Sequence, residues 1–466
     1  MLRDDIWFAS IEELAPELRA GRISPLELTR GFLERIERLN DRFNAYEKVT
    51  PALALEQAAR AQSELNARRW RGPLHGIPYA AKDLFDTRGV ATAWGTRFLR
   101  DRVPGEDATA VARLERAGAI LLGKAAMVEF AGCLGYRFAN ASASGPGRNP
   151  WDPARWTGGS SSGSGGAVAA GLATFALGTE TWGSILCPSA FCGLTGIRPT
   201  YGLVSRAGGM VGAYTFDKVG PLARSAADCR TVLTAIAGPD PRDPSTDPGP
   251  VRLARGSGRA LRTLRAALVP LDWSKVGEPE VRAAFDAAAG ELRAAGLAME
   301  EAKLPDMPAA EVSGVLITVE ALATFESFLD DGRVRQLTDT MAPRQREIAA
   351  DITGADVVKA MRVREAVQRA MRDFFARWDV IVTPNFMSVA PPVEQDLNEA
   401  LPYGDPVGAL AAACGLPGLA LPSGTARHGM PAGFQLVGAP FEEATLLDLG
   451  ETFQRRTTHH RRHPAL

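Results

Sequence analysis

Polar caps stand ahead of helical apolar spacing near the start of the chain. Ser10-Ile-Glu-Glu13 and Ser24-Pro-Leu-Glu27 both read Ser-x-x-Glu, in which the serine hydroxyl and the glutamate carboxylate satisfy free backbone N–H groups of a first helical turn. The second box also has proline at the first helical position, where its missing N–H costs nothing. Leu26, Phe32, Leu33, Ile36 and Leu39 then recur at helical spacing, so this second helix buries one face. Short apolar runs follow from Ala119 to Leu122, Ala266 to Val269, Asp379 to Thr383 and Phe434 to Val437, each the length of a buried strand. Between the second run and Leu297, Val281, Phe285, Ala288 and Leu292 line one face of another helix. Strands alternating with helices predict an α/β protein built on a sheet.

Gly238 to Pro250 is a turn-rich loop carrying five prolines, a candidate boundary. Later strands are expected to rejoin the same sheet, giving one large domain with a variable section from about 240 to 378. No internal repeat is visible.

With 466 residues, 45% hydrophobic and 23% charged, the chain has enough apolar material for a large core. Its net charge of −1 offers no basic stripe for nucleic acid. Acids at Asp4 and Asp5 stand where a secretory signal would be basic, and no apolar run near the serines reaches the roughly 20 residues that span a bilayer. The expectation is a soluble, cytoplasmic protein without a nucleic-acid or membrane partner.

Two glycine-rich stretches concentrate the candidate chemistry. Thr157 to Ala167 contains Ser160, Ser161, Ser162 and Ser164, and Gly178 to Ile185 contains Ser184; the apolar segment Ala167 to Leu177 joins them. A flexible Gly/Ser linker is disfavoured, because that buried-looking segment would anchor both loops. Serine needs a base to become a nucleophile. Histidine offers little: His459, His460 and His463 are in the tail, His428 is in a Gly/Pro loop, and only His75 lies near a candidate motif. Cys133, Cys187, Cys192, Cys229 and Cys414 lack metal-finger spacing and read as free thiols. Cys187 and Cys192 lie near the second glycine-rich stretch, but no base partner is visible for either. Lysine is rare, seven against 46 arginines, and Lys82 sits among apolar neighbours in His75-Gly-Ile-Pro-Tyr-Ala-Ala-Lys-Asp-Leu-Phe85. Burial would favour its neutral, basic form. Local sequence leaves this reading beside that of a surface lysine at a strand end.

Two motifs fail on physical grounds. Gly118 to Ala125 imitates a phosphate loop, but its interior is strand-like and Ala125 lacks the hydroxyl that holds magnesium. Gly159-Ser-Ser-Ser-Gly163 imitates a nucleophile elbow centred on Ser161, yet no buried strand pattern precedes it.

Taken together, Gly158-Gly-Ser-Ser-Ser-Gly-Ser164, Gly178-Thr-Glu-Thr-Trp-Gly-Ser-Ile185, Cys187-Pro-Ser-Ala-Phe-Cys-Gly193 and Gly196-Ile-Arg-Pro-Thr-Tyr-Gly202 resemble the amidase signature family, serine hydrolases with a Ser–cis-Ser–Lys triad. Pro73 to Asp83, Gly123 to Phe130, Arg148 to Pro150, Asp217 to Pro221, Asp379 to Pro384 and the segment from Gly415 to Gly438 extend the similarity over nearly the whole chain outside 240–370. The resemblance implies a central mixed, twisted sheet surrounded by helices. It divides the chain into N-terminal helices (1–70), a catalytic core (71–237), the variable section (240–378) and a C-terminal part (379–466).

It further implies Ser184 as nucleophile, Ser160 as the bridging serine after a cis peptide bond, and Lys82 as base. Backbone N–H groups of Thr181, Trp182, Gly183 and Ser184 would form the oxyanion hole, with Ser161 and Thr179 supporting the relay. Neither a metal nor an organic cofactor is implied. The expected partner is a small or medium neutral amide, with carbamates, anilides and esters as further substrates, and a homo-oligomer is left open. The rival reading is the glutaminase subunit of a tRNA-dependent amidotransferase. Four departures stand out: Trp182 for glycine, Leu186 for arginine, Glu180 for aspartate, and Gly165-Gly166 for alanines. Leu186 removes the cation expected beside residue 180, and Trp182 is expected to shape the pocket. The variable section and the loop from Asn385 to Tyr403 are expected to wall the acyl site.

Overall fold

The computed structural model describes residues 4–274, 278–400 and 404–466; Tyr403, the end of the expected acyl-site loop, lies outside them. In chain order its strands are β1 (Tyr46–Val49), β2 (Pro78–Lys82), β3 (Ile120–Ala125), β4 (Arg148–Asn149), β5 (Asp152–Trp156), β6 (Phe175–Glu180), β7 (Thr195–Arg198), β8 (Lys218–Ala223), β9 (Arg265–Leu268), β10 (Ala298–Glu301), β11 (Val380–Pro384), β12 (Gly418–Thr425) and β13 (Pro431–Gly438). Eleven form one sheet in the order β1-β3-β2-β6-β8-β7-β12-β13-β11-β9-β10, with β4 and β5 in a separate hairpin. The sheet is mixed: β3, β2 and β6 run parallel, as do β11, β9 and β10, while the strands between them pair antiparallel. Thus β9 to β13, which follow the proline-rich loop, extend the sheet that β1 to β8 begin.

Sequence patterning accounts for these elements. The four apolar runs lie in β3, β9, β11 and β13, and β2, β3, β6 and β8 are buried along their whole length, as strands covered on both faces require. Ser10 and Glu13 form a reciprocal capping box on the helix Ile11–Arg19, whereas the helix Pro25–Phe43 has only the bond from Glu27 N–H to Ser24 Oγ. That second helix is rotated from its expected face: Leu28, Phe32 and Ile36 are fully buried, and Leu26, Leu33 and Leu39 only partly. The i, i+4, i+8 row carries the contact. The helix Pro279–Ala294 buries Val281, Phe285, Ala288 and Leu292 as its pattern requires.

One expectation is corrected. A strand, β5, does precede the Gly159–Gly163 stretch. It belongs to a short, partly exposed hairpin outside the main sheet, so it does not supply the buried strand of a nucleophile elbow. Gly118 to Ala125 is mostly β3 itself, which ends any phosphate-loop reading.

Candidate active site

Neighbouring parallel strands bring the candidate residues together. Lys82 is the last residue of β2, Thr179 is next to last in β6, and β2 pairs with β6, so both stand at the carboxyl edge of the sheet, where α/β folds commonly bind ligands. Ser161 then caps the helix Ser162–Ala169. This helix starts hard against other backbone: a Cβ on Gly163 would lie 2.2 Å from Ala45 O and 2.4 Å from Ala126 N. Only glycine allows that approach, which carries Ser160 to the end of β2. The Gly159–Ser160 peptide is cis.

Lys82 Nζ lies 2.8 Å from Ser160 Oγ, 3.0 Å from Thr179 Oγ1 and 3.4 Å from Thr179 O. Ser161 Oγ donates to Thr179 O at 3.3 Å, and Ser161 N–H donates to Ser184 O at 3.3 Å. Ser161 and Thr179 therefore brace the lysine end and the Ser184 end together. Among the described residues no hydrogen bond joins Ser160 Oγ to Ser184 Oγ. Such contacts are often long without substrate and close on binding.

Lys82 is fully buried, and burial drives its ammonium down to about 7, against the opposing pull of Cys133, Asp217 and Glu180. A surface lysine at a strand end is thereby excluded. Held near neutrality, the amine can accept a proton from Ser160 at ordinary pH. The other candidate nucleophiles are chemically quiet. Burial pushes Cys187 up to about 12 and Cys192 well above the ordinary thiol range, so both stay protonated and packed. His75 is at the opposite end of β2 from Lys82, with Nε2 3.1 Å from Glu64.

The turn from Glu180 to Ser184 is held from below. Glu180 accepts Arg198 Nη1 at 2.6 Å and the N–H groups of Ile185 and Leu186 at 2.8 and 2.9 Å, all buried. Arg198, at the end of β7, supplies the cation that Leu186 cannot. Burial alone would raise the Glu180 carboxyl, but Arg198, Lys218 and these hydrogen bonds outweigh it and hold it below the usual range. Thr181 Oγ1 donates to Asp217, and Lys218 Nζ donates to Thr181 O at 3.1 Å. Gly183 takes φ = +85°, which favours glycine, and its carbonyl accepts Cys187 N–H at 2.7 Å. Among the described residues the N–H groups of Trp182, Gly183 and Ser184 have no acceptor. Trp182 is 38% exposed and lies over Gly408, with its indole nitrogen on the side of Asp405.

Three participants went unread in the sequence: Arg198, Lys218 and Cys133. Lysine scarcity, the signal that singled out Lys82, also singles out Lys124 and Lys218, and all three are buried to 2% exposure or less. Cys133 gives no such signal; tertiary packing brings its thiol beside Lys82 and Thr181. The variable section reaches this neighbourhood through Glu129, which accepts Thr338 N–H and Asp339 N–H, and Arg137, which pairs with Asp396. Among the described residues no cluster of three or more His, Cys, Asp or Glu is placed to hold a metal, and no helix is long and apolar enough to cross a membrane.

Comparison with known proteins gives a consistent picture. The family model described as Amidase matches residues 27–447. The glutamyl-tRNA(Gln) amidotransferase A subunit of Moorella thermoacetica is 37% identical, with 99% of each chain covered. The crystal structure of a native peptide amidase from Stenotrophomonas maltophilia superposes with a TM-score of 0.85 at 32% identity, covering 98% of each chain. That of the glutamyl-tRNA(Gln) amidotransferase A subunit from Thermotoga maritima gives 0.83 at 27% identity, covering 100% of this chain and 98% of the other.

Proposed function

The chain belongs to the amidase family, whose enzymes act on C–N bonds, and we propose that it is a serine amidohydrolase working through an acyl-enzyme on Ser184. The observation that carries this reading is a buried lysine, lowered to about 7, set 2.8 Å from a serine hydroxyl. Neutral Lys82 takes the Ser160 proton as Ser160 takes that of Ser184, and Ser184 Oγ bonds to the substrate carbonyl carbon. The oxyanion is met by backbone N–H groups of the turn from Thr181 to Ser184. Its collapse breaks the C–N bond, and the relay returns the proton to the leaving nitrogen. Water then cleaves the acyl-enzyme by the same path in reverse order.

The substrate is a small or medium neutral amide, with carbamates, anilides and esters passing through the same oxyanion. Two features support a neutral acyl group. The charges under the turn, Glu180 with Arg198 and Asp217 with Thr181, already have partners, and the half-exposed residue beside the nucleophile is the apolar Trp182. Treatment with a sulfonyl fluoride should inactivate the enzyme and leave the adduct on the peptide containing Ser184. An adduct on Ser160 or Ser161 overturns the assignment.

A second reading, the glutaminase subunit of a tRNA-dependent amidotransferase, is favoured by identity to a protein of that name along 99% of the chain. The two readings separate on one assay. The isolated chain should hydrolyse aryl amides faster than glutamine; glutaminase activity that appears only with partner proteins would reverse the order.

A further inference from the structure

Lys218, the first residue of β8, is 2% exposed, and among the described residues its amine makes a single hydrogen bond, to Thr181 O at 3.1 Å. No carboxylate of the described residues comes within 4.0 Å of it. Glu180 and Asp217 act on it from farther away, as do the like charges of Arg198 and Arg364. A buried lysine spent on one backbone carbonyl is an expensive arrangement unless that carbonyl's direction matters.

The direction matters because a trans peptide is planar, with its C=O and the following N–H pointing opposite ways. Lys218 turns Thr181 O into the interior, so the Trp182 N–H faces outward, where the Trp182 side chain is 38% exposed and the N–H has no acceptor among the described residues. One peptide pair further on, Cys187 N–H holds Gly183 O inward at 2.7 Å, which turns the Ser184 N–H outward as well. Ile185 N–H and Leu186 N–H are committed to Glu180.

We propose that Lys218 is a positioning residue that sets the oxyanion hole, fixing Trp182 N–H and Ser184 N–H as its two donors by locking the carbonyl on which the first depends. The proposal rests on Ser184 being the nucleophile. It accounts for a substitution that looked hazardous: any residue at position 182 offers an N–H, and the brace acts on the preceding carbonyl, so tryptophan is tolerated beside the reacting centre.

The test is Lys218→Met, which keeps the stem and removes the donor, with Lys218→Gln as a smaller variant that retains an N–H. Melting curves establish that each is folded. The Met variant should lose about 10- to 100-fold in kcat with KM within about 3-fold of wild type, because misplacing a donor by about 1 Å costs that much. An aldehyde inhibitor, whose tetrahedral adduct needs the oxyanion donors, should weaken by the same factor as kcat, while a ground-state competitive inhibitor keeps its affinity. Gln should lie between Met and wild type. A folded Met variant with kcat within about 3-fold of wild type overturns the proposal, as does a loss of kcat that leaves aldehyde affinity unchanged. If neither variant folds, Lys218 is a folding residue and the positioning role is rejected. Failure of the nucleophile assignment is distinguishable, since it appears in the wild-type enzyme as a sulfonyl adduct away from Ser184.

Discussion

Lys82 and Lys124 lie on neighbouring strands, both fully buried, and serve different ends. In the β2–β3 pairing Lys124 stands opposite Ala81, and Lys82 opposite Ala125. Side chains alternate along a strand, so the two lysines leave opposite faces of the sheet. On its face Lys82 meets hydroxyls, those of Ser160 and Thr179, with no carboxylate in contact among the described residues. On the other face Lys124 donates to Phe85 O, Thr87 Oγ1 and Thr92 Oγ1 and faces the charge of Asp83, which itself accepts Ala93 N–H at 3.0 Å. Burial lowers both amines, Lys82 to about 7 and Lys124 to about 8, and it lifts Asp83 to about 7 against the pull of Lys124. A buried lysine among hydroxyls is poised to exchange a proton; one that ties together a loop and an acid is fixed in place.

The largest expected effect tests the chemical side. Lys82→Met should reduce kcat/KM by at least about 1000-fold, measured on an aryl amide, and Lys82→Arg should do no better, because guanidinium stays protonated. Its stability should stay within about 1 kcal/mol of wild type, since the lost hydrogen bonds are offset by removing a buried amine. An active arginine variant would erase the contrast.

Lys124→Met should do the reverse. It strands three buried oxygens and leaves Asp83 without its nearby cation, so urea unfolding should show a loss of about 3 kcal/mol or more. Activity per folded molecule should change little. If the loss instead falls on kcat with stability intact, the two lysines share one role.

The pH dependence is smaller and separates the sites by sign. The kcat/KM of the wild type should rise as pH climbs through about 7 and level off as Lys82 loses its proton. Stability follows from the same shift. The folded pKa of Lys82 is depressed below the unfolded value, so between about 7 and about 10 the unfolded chain binds more protons, and the contribution of Lys82 to stability grows with pH. Lys218, also lowered to about 7, adds a slope of the same sign, so the difference between wild type and Lys82→Met isolates the Lys82 share. Equal slopes in the two proteins would contradict the depressed pKa.

Least disruptive should be Trp182→Gly. The backbone donor survives, so kcat on the smallest amide should stay within about 10-fold, while relative rates across a panel of bulkier amides shift. Unchanged relative rates would remove Trp182 from the acyl pocket.

Much of this was legible in the primary structure because local rules govern it. Capping boxes, apolar runs and the Gly/Ser stretches depend on near neighbours, and Lys82, Ser160, Ser161 and Thr179 meet through short-range backbone geometry at one sheet edge. The rotated face of the helix Pro25–Phe43 and the hairpin strand β5 escape such rules because their surroundings, not their own periodicity, decide what is buried.

What the sequence by itself determined is the α/β layout, the poverty of histidine and lysine that narrows the choice of base, and the spacing of Lys82, Ser160 and Ser184. What only the tertiary structure decided is how charge is satisfied around them. Glu180 is answered by Arg198, 18 residues away, Thr181 O by Lys218, 37 residues away, and the environments of Lys82 and Lys124 diverge by which face of one sheet each side chain leaves. Burial and pairing set proton affinity, and both are properties of the folded chain that no local pattern encodes.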